Sequence, residues 1–463
     1  MTVKDQIINT LKELRAYAFD KGYDISINYH EEDSYLMRFA NSAISLNTNE
    51  HLIRLEIDAH DGRKRASYEL ITDLDKMDEM KKAVDAAAEL VVHAQPLNYE
   101  PTLPTYEETF IDESGYDAEL ALMSNEDRLA FFNEASKGLE TEEIKLSGIF
   151  SNGSTTQAFI NTRSEHVLFF KTSDAQISIV LAHSKLKWEV QSEQSAWKKS
   201  DLDPVAMHDE LSFLLEHYLN DSPQQLPLGN YEIVFGPAAI AEMVQFMNYI
   251  GFNGGLMKRG YSFLKEEQIG KKVFSEKFTL NDDANELATF PFKRDYMGKK
   301  RGNYPLFTNG VFQGFVFSQD DADEFSVEST SHTVRHKSLV IGSGEKEVNS
   351  LQDLIDMPRE NDILYFPFIH YMNIVNPSRG LVTGSSRFGA LLIKKDGSVV
   401  VPFNVRMTQS LLDIFGDKID WLSKETVPYN ISQSYGSRDP VAIVTPKFMA
   451  VKDLEISHSN SSY

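Results

Sequence analysis

The stretch Tyr231 to Leu264, YEIVFGPAAIAEMVQFMNYIGFNGGLMKRGYSFL, decides the reading of the chain. Ile233-Val234-Phe235 is an apolar run of strand length and predicts a buried strand. Gly236-Pro237 ends it; proline suits the first turn of a helix, where its missing N–H would have had no partner. Ile240, Met243, Val244, Met247 and Ile250 then recur at helical spacing and predict one buried face. Gly251 and Gly254-Gly255 close the helix. A strand, a tight turn and a helix together can aim side chains into a cleft. This helix offers Gln245, Asn248 and Tyr249, but no His, Asp or Cys. Its one acid, Glu242, has no basic or metal-binding residue beside it. A place suited to chemistry carries none that the residues declare.

Outward from this stretch the chain predicts an α+β fold: N-terminal helices on an antiparallel sheet, a central α/β domain and a large β-rich C-terminal domain. Residues 1–98 hold an amphipathic helix with Ile7, Leu11, Leu14 and Ala18 on one side. Three segments alternating at period two follow, around Ile25–Tyr29, Tyr35–Phe39 and Ile53–Ala59. Asp61-Gly62 is a turn signal, and a second helix runs from about Asp75 to His93. The proline-bearing segment 96–106, PLNYEPTLPTY, reads as a linker. Residues 99–225 predict a helix from Asn125, as its cap, to Leu139, with Leu129, Phe132 and Leu139 as its stripe. Strands follow, with Asn152-Gly153 as a hairpin turn between Lys145–Phe150 and Gln157–Asn161. A further helix over Pro204–Leu219 is expected to bury Val205, Leu211, Leu215 and Tyr218. Residues 226–463 form the largest unit, mostly strands, with a short helix over Thr408–Phe415.

The net charge of −23, from 46 basic and 69 acidic residues, argues against a protein that wraps nucleic acid, since neutralising phosphates needs a basic surface. Lys299-Lys300-Arg301 is the compact basic cluster, expected on a solvated loop. The chain has no cysteine, which removes disulfides, a thiolate nucleophile and thiolate metal ligands from consideration. The N-terminus lacks the apolar core of a signal peptide, and no apolar run reaches the length of a membrane span. A cytoplasmic protein is expected.

His332 and His336 are four apart, which on a helix would align two imidazoles, but no Glu follows the first and Thr333-Val334 is a poor helix interior. The run Asp320-Asp321-Ala322-Asp323-Glu324 suggests a hard cation, yet lacks the alternating ligands and central glycine of a calcium loop and reads as a solvated charge run. Ser331, Ser343 and Ser385-Ser386 sit in no Gly-x-Ser-x-Gly elbow.

Three stretches, in this order, resemble the TldD/PmbA family. They are Leu36-Met37-Arg38-Phe39-Ala40-Asn41-Ser42-Ala43-Ile44; Gly260-Tyr261-Ser262-Phe263-Leu264-Lys265 with Ile269–Ser275; and Val375-Asn376-Pro377-Ser378-Arg379-Gly380 with Gly389–Ile393. The family is described as modulators of DNA gyrase and as peptide-maturation metallopeptidases. Resemblance implies that active members carry His-Glu-x-x-x-His on the helix after the Gly-Pro turn and a late Cys, together holding zinc. Here those positions fall on Gln245, Phe246 and Ile250, and near Tyr435. An amide and hydrocarbon side chains are poor substitutes for imidazole and thiolate. The resemblance therefore implies a TldE-like, non-catalytic subunit with no cofactor of its own, paired with a zinc-bearing TldD-like chain that acts on unfolded peptides. The alternatives are a metal-dependent hydrolase with its own centre around His332 and His336, or a self-associating binding protein.

Overall fold

The computed structural model of the chain describes residues 2–220, 222–333, 337–432 and 438–463. Strands β1 (Asp24–Ala40) and β2 (Ala43–Asp61) pair antiparallel along their length. Asn41 and Ser42 join them, both with left-handed φ (51° and 64°), the twist that a two-residue hairpin turn prefers. Strand β3 (Lys64–Thr72) extends the sheet past the Asp61-Gly62 turn. Helices α1 (Val3–Asp20) and α2 (Met77–His93) cover one face. They bury Ile7, Leu11, Leu14 and Ala18, and Met80, Val84, Ala87 and Val91, as their spacing predicts.

The sheet continues with β4 (Phe110–Gly115), β5 (Ile144–Asn161), β6 (Leu168–His183) and β7 (Glu189–Ala196), in the order β3-β2-β1-β5-β6-β4 with β7 on β6. Strands from either side of the proline-bearing segment thus share one sheet. Helices α3 (Ala118–Ala121), α4 (Asn125–Ala135) and α5 (Pro204–Asn220) belong to its second half. Several local expectations change here. Asn152 and Gly153 are not a turn; they lie inside β5, opposite Tyr35 and Ser34 of β1. Asn152 is fully buried, accepting from Arg128 Nη1 at 3.0 Å and donating to the Leu120 carbonyl at 2.8 Å. A Cβ on Gly153 would sit 1.9 Å from the Asp33 carbonyl oxygen, so the glycine serves close strand approach rather than reversal. The cap of α4 is Ser124, whose hydroxyl accepts from Asp127 N. That start turns Arg128, Phe131 and Phe132 inward and leaves Leu129 exposed. Val205 is likewise exposed, whereas Leu211, Leu215 and Tyr218 are buried.

The C-terminal half holds two sheets. Its strands and helices begin with β8 (Gly229–Phe235), α6 (Pro237–Ile250), α7 (Gly254–Lys258), β9 (Leu280–Asp283), β10 (Asn303–Thr308), β11 (Val311–Phe312), α8 (Gln319–Phe325) and β12 (Leu339–Ile341). The remaining strands are β13 (Ile363–Phe366), β14 (Phe368–Asn376), β15 (Leu381–Arg387), β16 (Leu391–Ile393), β17 (Val399–Val400), β18 (Val405–Ser410), β19 (Ile419–Leu422), β20 (Thr426–Asn430), β21 (Ala442–Pro446) and β22 (Met449–Ser459). One sheet runs β11-β10-β9-β12-β21-β20; the other runs β14-β15-β18-β22-β8-β13-β16-β17, with β19 on β22. The helix expected over Thr408–Phe415 shortens to Leu411–Ile414, because β18 stays paired with β15 through Ser410.

Strand β8 lies between β13, parallel, and β22, antiparallel. Ile233 and Phe235 enter the core that holds α6; Val234 enters the core that holds α5 and Trp188. Both faces are buried over Ile233–Phe235, which is why that run is continuously apolar.

Candidate functional site

Helix α6 starts where β8 ends. Gly236 caps it in an extended conformation, and its N–H donates to the Phe366 carbonyl at 3.1 Å. Ala239 N donates to the Pro367 carbonyl at 3.2 Å, so the β13–β14 connection satisfies the first turn. Ile240, Met243, Val244, Met247 and Ile250 are all buried in the core shared by both C-terminal sheets. The other face presents half-buried Glu242 and Gln245 and, one turn later, exposed Tyr249. Burial alone pushes the Glu242 carboxyl above the usual range.

Gln245 thus reaches a partly open face. Phe246 is half-buried against the core, and Ile250 is 3% exposed and wholly committed to it. Tyr435 lies outside the described residues. An amide beside two hydrocarbon groups, one of them enclosed, does not fit a zinc ion. Near Tyr249 stands Lys337, 8% exposed, its ammonium 5.4 Å from the ring centre. Burial lowers Lys337 to about 8, partly offset by Asp282.

His332 is 4% exposed, lies 3.1 Å from Asp282 through Nδ1 and stacks on Tyr304. Asp282 also accepts from Arg301 Nη2 at 3.0 Å and from Ser338 N at 2.8 Å. This is a buried charge network inside the six-stranded sheet. His336 lies outside the described residues. Among the described residues, no three His, Asp or Glu come together in a metal-binding arrangement. Arg301, expected on a solvated loop, is in fact 2% exposed, because its charge is matched by Asp282. Ser386 accepts from Val405 N at 3.0 Å and holds strands together.

The acidic run is not simply solvated either. It forms α8, capped by Ser318. Asp320 receives both Nη groups of Arg65 on β3, at 3.1 and 2.9 Å; Asp321 and Glu324 pair with Arg259; and Asp323 accepts from Thr102. Asp320 and Asp323 join the N-terminal half to the C-terminal half, while Asp321 and Glu324 tie α8 to the end of α7. Gly255 permits it: a Cβ there would sit 2.1 Å from Asp321 Oδ1. A second junction is buried. Arg438 grips Asp174 of β6 through Nε at 2.7 Å and Nη2 at 2.8 Å, and its backbone N–H donates to Glu32 of β1.

Two cavities flank α6. One, of roughly 690 Å³, includes Pro237 and Ala238 at its N-terminal end, with β7, α5 and β20 as walls. The other, of roughly 540 Å³, reaches Asn253 just past its C-terminal end and opens on the polar face of the first sheet, with His30, Arg54, Glu56 and His60. Burial, with Arg163 nearby, holds His60 below its ordinary value.

A profile of the PmbA/TldA metallopeptidase C-terminal domain matches residues 228–458. The chain belongs to the PmbA/TldD family. Its fold is also that of solved members. The TldE structure from Thermococcus kodakarensis superposes with a TM-score of 0.79 at 18% identity, covering 97% of this chain and 100% of that one. Two structures described as modulators of DNA gyrase agree as well. The one from Thermotoga maritima gives a TM-score of 0.73 at 14% identity, with 97% and 99% of the two chains covered. The one from Bacteroides thetaiotaomicron gives 0.74 at 16% identity, with 96% and 98% covered. None of the curated proteins compared matches the chain.

Within this PmbA/TldD member, sequence reading overlooked the groups around the first cavity, chiefly Glu193, Glu210 and Tyr429. Glu193 and Glu210 come from neighbouring elements and Tyr429 from a remote one, and each sits in an unremarkable polar context. It also overlooked the Arg438–Asp174 pair, for the same reason.

Proposed function

We propose that this chain is the non-catalytic, TldE-like subunit of a two-chain metallopeptidase, working with a family member that carries the zinc-binding residues. The observation that carries this reading is Ile250. The position that resemblance assigns to the second histidine is 3% exposed and packed into the main core, so the helix is built there for packing rather than for ligation. The solved TldE structure, alike over its whole length, supports the same subtype.

A surface for the partner is available. Strand β14 ends the nine-stranded sheet, and Tyr371, Ile374 and Val375 on it are 75%, 40% and 53% exposed. An apolar edge strand of this kind invites pairing with another chain. The reading around His332 has less behind it, since that imidazole is enclosed by Asp282 and Tyr304.

Co-expression with the family member bearing His-Glu-x-x-x-His from the same genome tests the proposal. A stable complex is expected by size-exclusion chromatography, with peptidase activity that the partner alone lacks. Val375→Asp is expected to weaken that complex. A partner fully active alone, with no complex formed, overturns the reading.

A further inference from the structure

The cavity at the N-terminal end of α6 has the make-up of a ligand site. Its walls are largely apolar, with Phe213, Leu214, Phe368 and Phe388 among them, and a few polar groups converge inside. Glu193 of β7 and Glu210 of α5 both line it, one from each of two facing elements. Ser192 Oγ donates to Glu210 Oε2 at 2.5 Å, and Gln191 and Tyr429 donate to Glu193. Each glutamate keeps accessible surface while protein surrounds it at longer range, so that surface faces the cavity. Burial pushes both carboxyls upward; the charge of Glu210 would raise Glu193 further, while Lys447 draws Glu210 down. Against several acids around the wall, including Asp209 and Glu425, the described residues supply one cation, Lys447, which already faces Glu425 at 3.4 Å.

A second observation points the same way. Ser195, two residues beyond Glu193 on the same face of β7, is 8% exposed and lines the cavity. Its Oγ has no hydrogen-bond partner among the described residues. The same holds for Oε1 of Gln191, two residues before Glu193. Buried polar atoms are nearly always satisfied, and orphans on a cavity wall mark places where a ligand's donors would go.

We propose that this cavity binds an ammonium or guanidinium group carried on an apolar or aromatic body. The cation would sit between Glu193 and Glu210, its donors shared with Ser195 Oγ and Gln191 Oε1, and its apolar part against the phenylalanines. An enclosed cation–carboxylate pair is worth forming when its hydrogen bonds are complete. This does not depend on the subunit role proposed above.

Titration calorimetry of the full chain with 2-phenylethylamine, 2-phenylethanol, phenylacetate and arginyl-phenylalaninamide tests it. The amine or the peptide is expected to bind with Kd below about 1 mM, at least about tenfold tighter than the alcohol or the acid. If only the peptide binds, the site takes peptides; if the amine alone suffices, it takes free amines. The E193Q/E210Q double variant is expected to lose the cation by at least about tenfold while keeping its melting temperature, since the amide resembles the protonated acid. Should that variant fail to fold, A206W, at an exposed helix position on the cavity rim, should block binding instead. Equal binding of alcohol and amine, undiminished binding by a folded variant, or no cation bound at about 10 mM overturns the proposal.

Discussion

Arg438 carries a positive charge to a position where its side chain is 8% exposed, and Asp174 meets it at 6% exposure. Such a pair contributes little net stability compared with apolar groups, but removing one partner strands the other. Arg438→Ala is therefore expected to cost about 3–5 kcal/mol in urea unfolding, and an Arg438→Ala/Asp174→Ala double variant less than the sum of the two singles. Lys337 shows the opposite case, a buried amine that forms no ion pair among the described residues. Its folded value is near 8 against an ordinary 10.5. Between those two values the unfolded chain binds a proton that the folded chain does not. Stability should rise with pH across that window; below it this group adds no pH dependence, and its burial cost is fully present. Lys337→Met is expected to abolish that rise and to stabilise the protein by about 1–3 kcal/mol at pH 7, measured by unfolding at several pH values.

At the scale of elements, α6 has two faces with different duties. Ile250→Ala should cost about 2–4 kcal/mol, the range for emptying a packed core site, whereas Gln245→Ala on the half-open face should cost less than about 1 kcal/mol. Comparable costs at both positions would mean that Gln245 is structurally committed, contrary to its placement. The helix and its buried stripe were legible because five apolar residues repeat at one period. Strand β5 was not. Asn-Gly is a strong turn signal when only neighbours in sequence are considered, but here Arg128 and the backbone of β1 hold it straight. Gly153→Ala is predicted to destabilise the chain by about 1–3 kcal/mol or more and to raise hydrogen exchange in β1 and β5 together. A neutral outcome would show that the strands can part locally.

Across the whole molecule, charge ties the halves together at two kinds of junction. The enclosed Arg438–Asp174 pair is costly to break, whereas Arg65 and Asp320 are each about one-third exposed (35% and 38%). Arg65→Ala should accordingly change urea unfolding by no more than about 1 kcal/mol, less at high salt. A larger loss would make this pair a main determinant of how the halves sit. The acids of α8 looked solvated in sequence because their partners, Arg65, Thr102 and Arg259, come from remote segments. The cavity glutamates escaped notice because nothing in their local sequence singles them out in a chain with 69 acids. The sequence by itself determined the α+β class and the β8–α6 unit, because periodicity is a local property. Only the tertiary structure decided that Ile250 is core, that Asn152-Gly153 stays extended, and that Glu193 and Glu210 face one cavity. Each of those depends on packing between separate elements, whose burial and pairing no local pattern encodes.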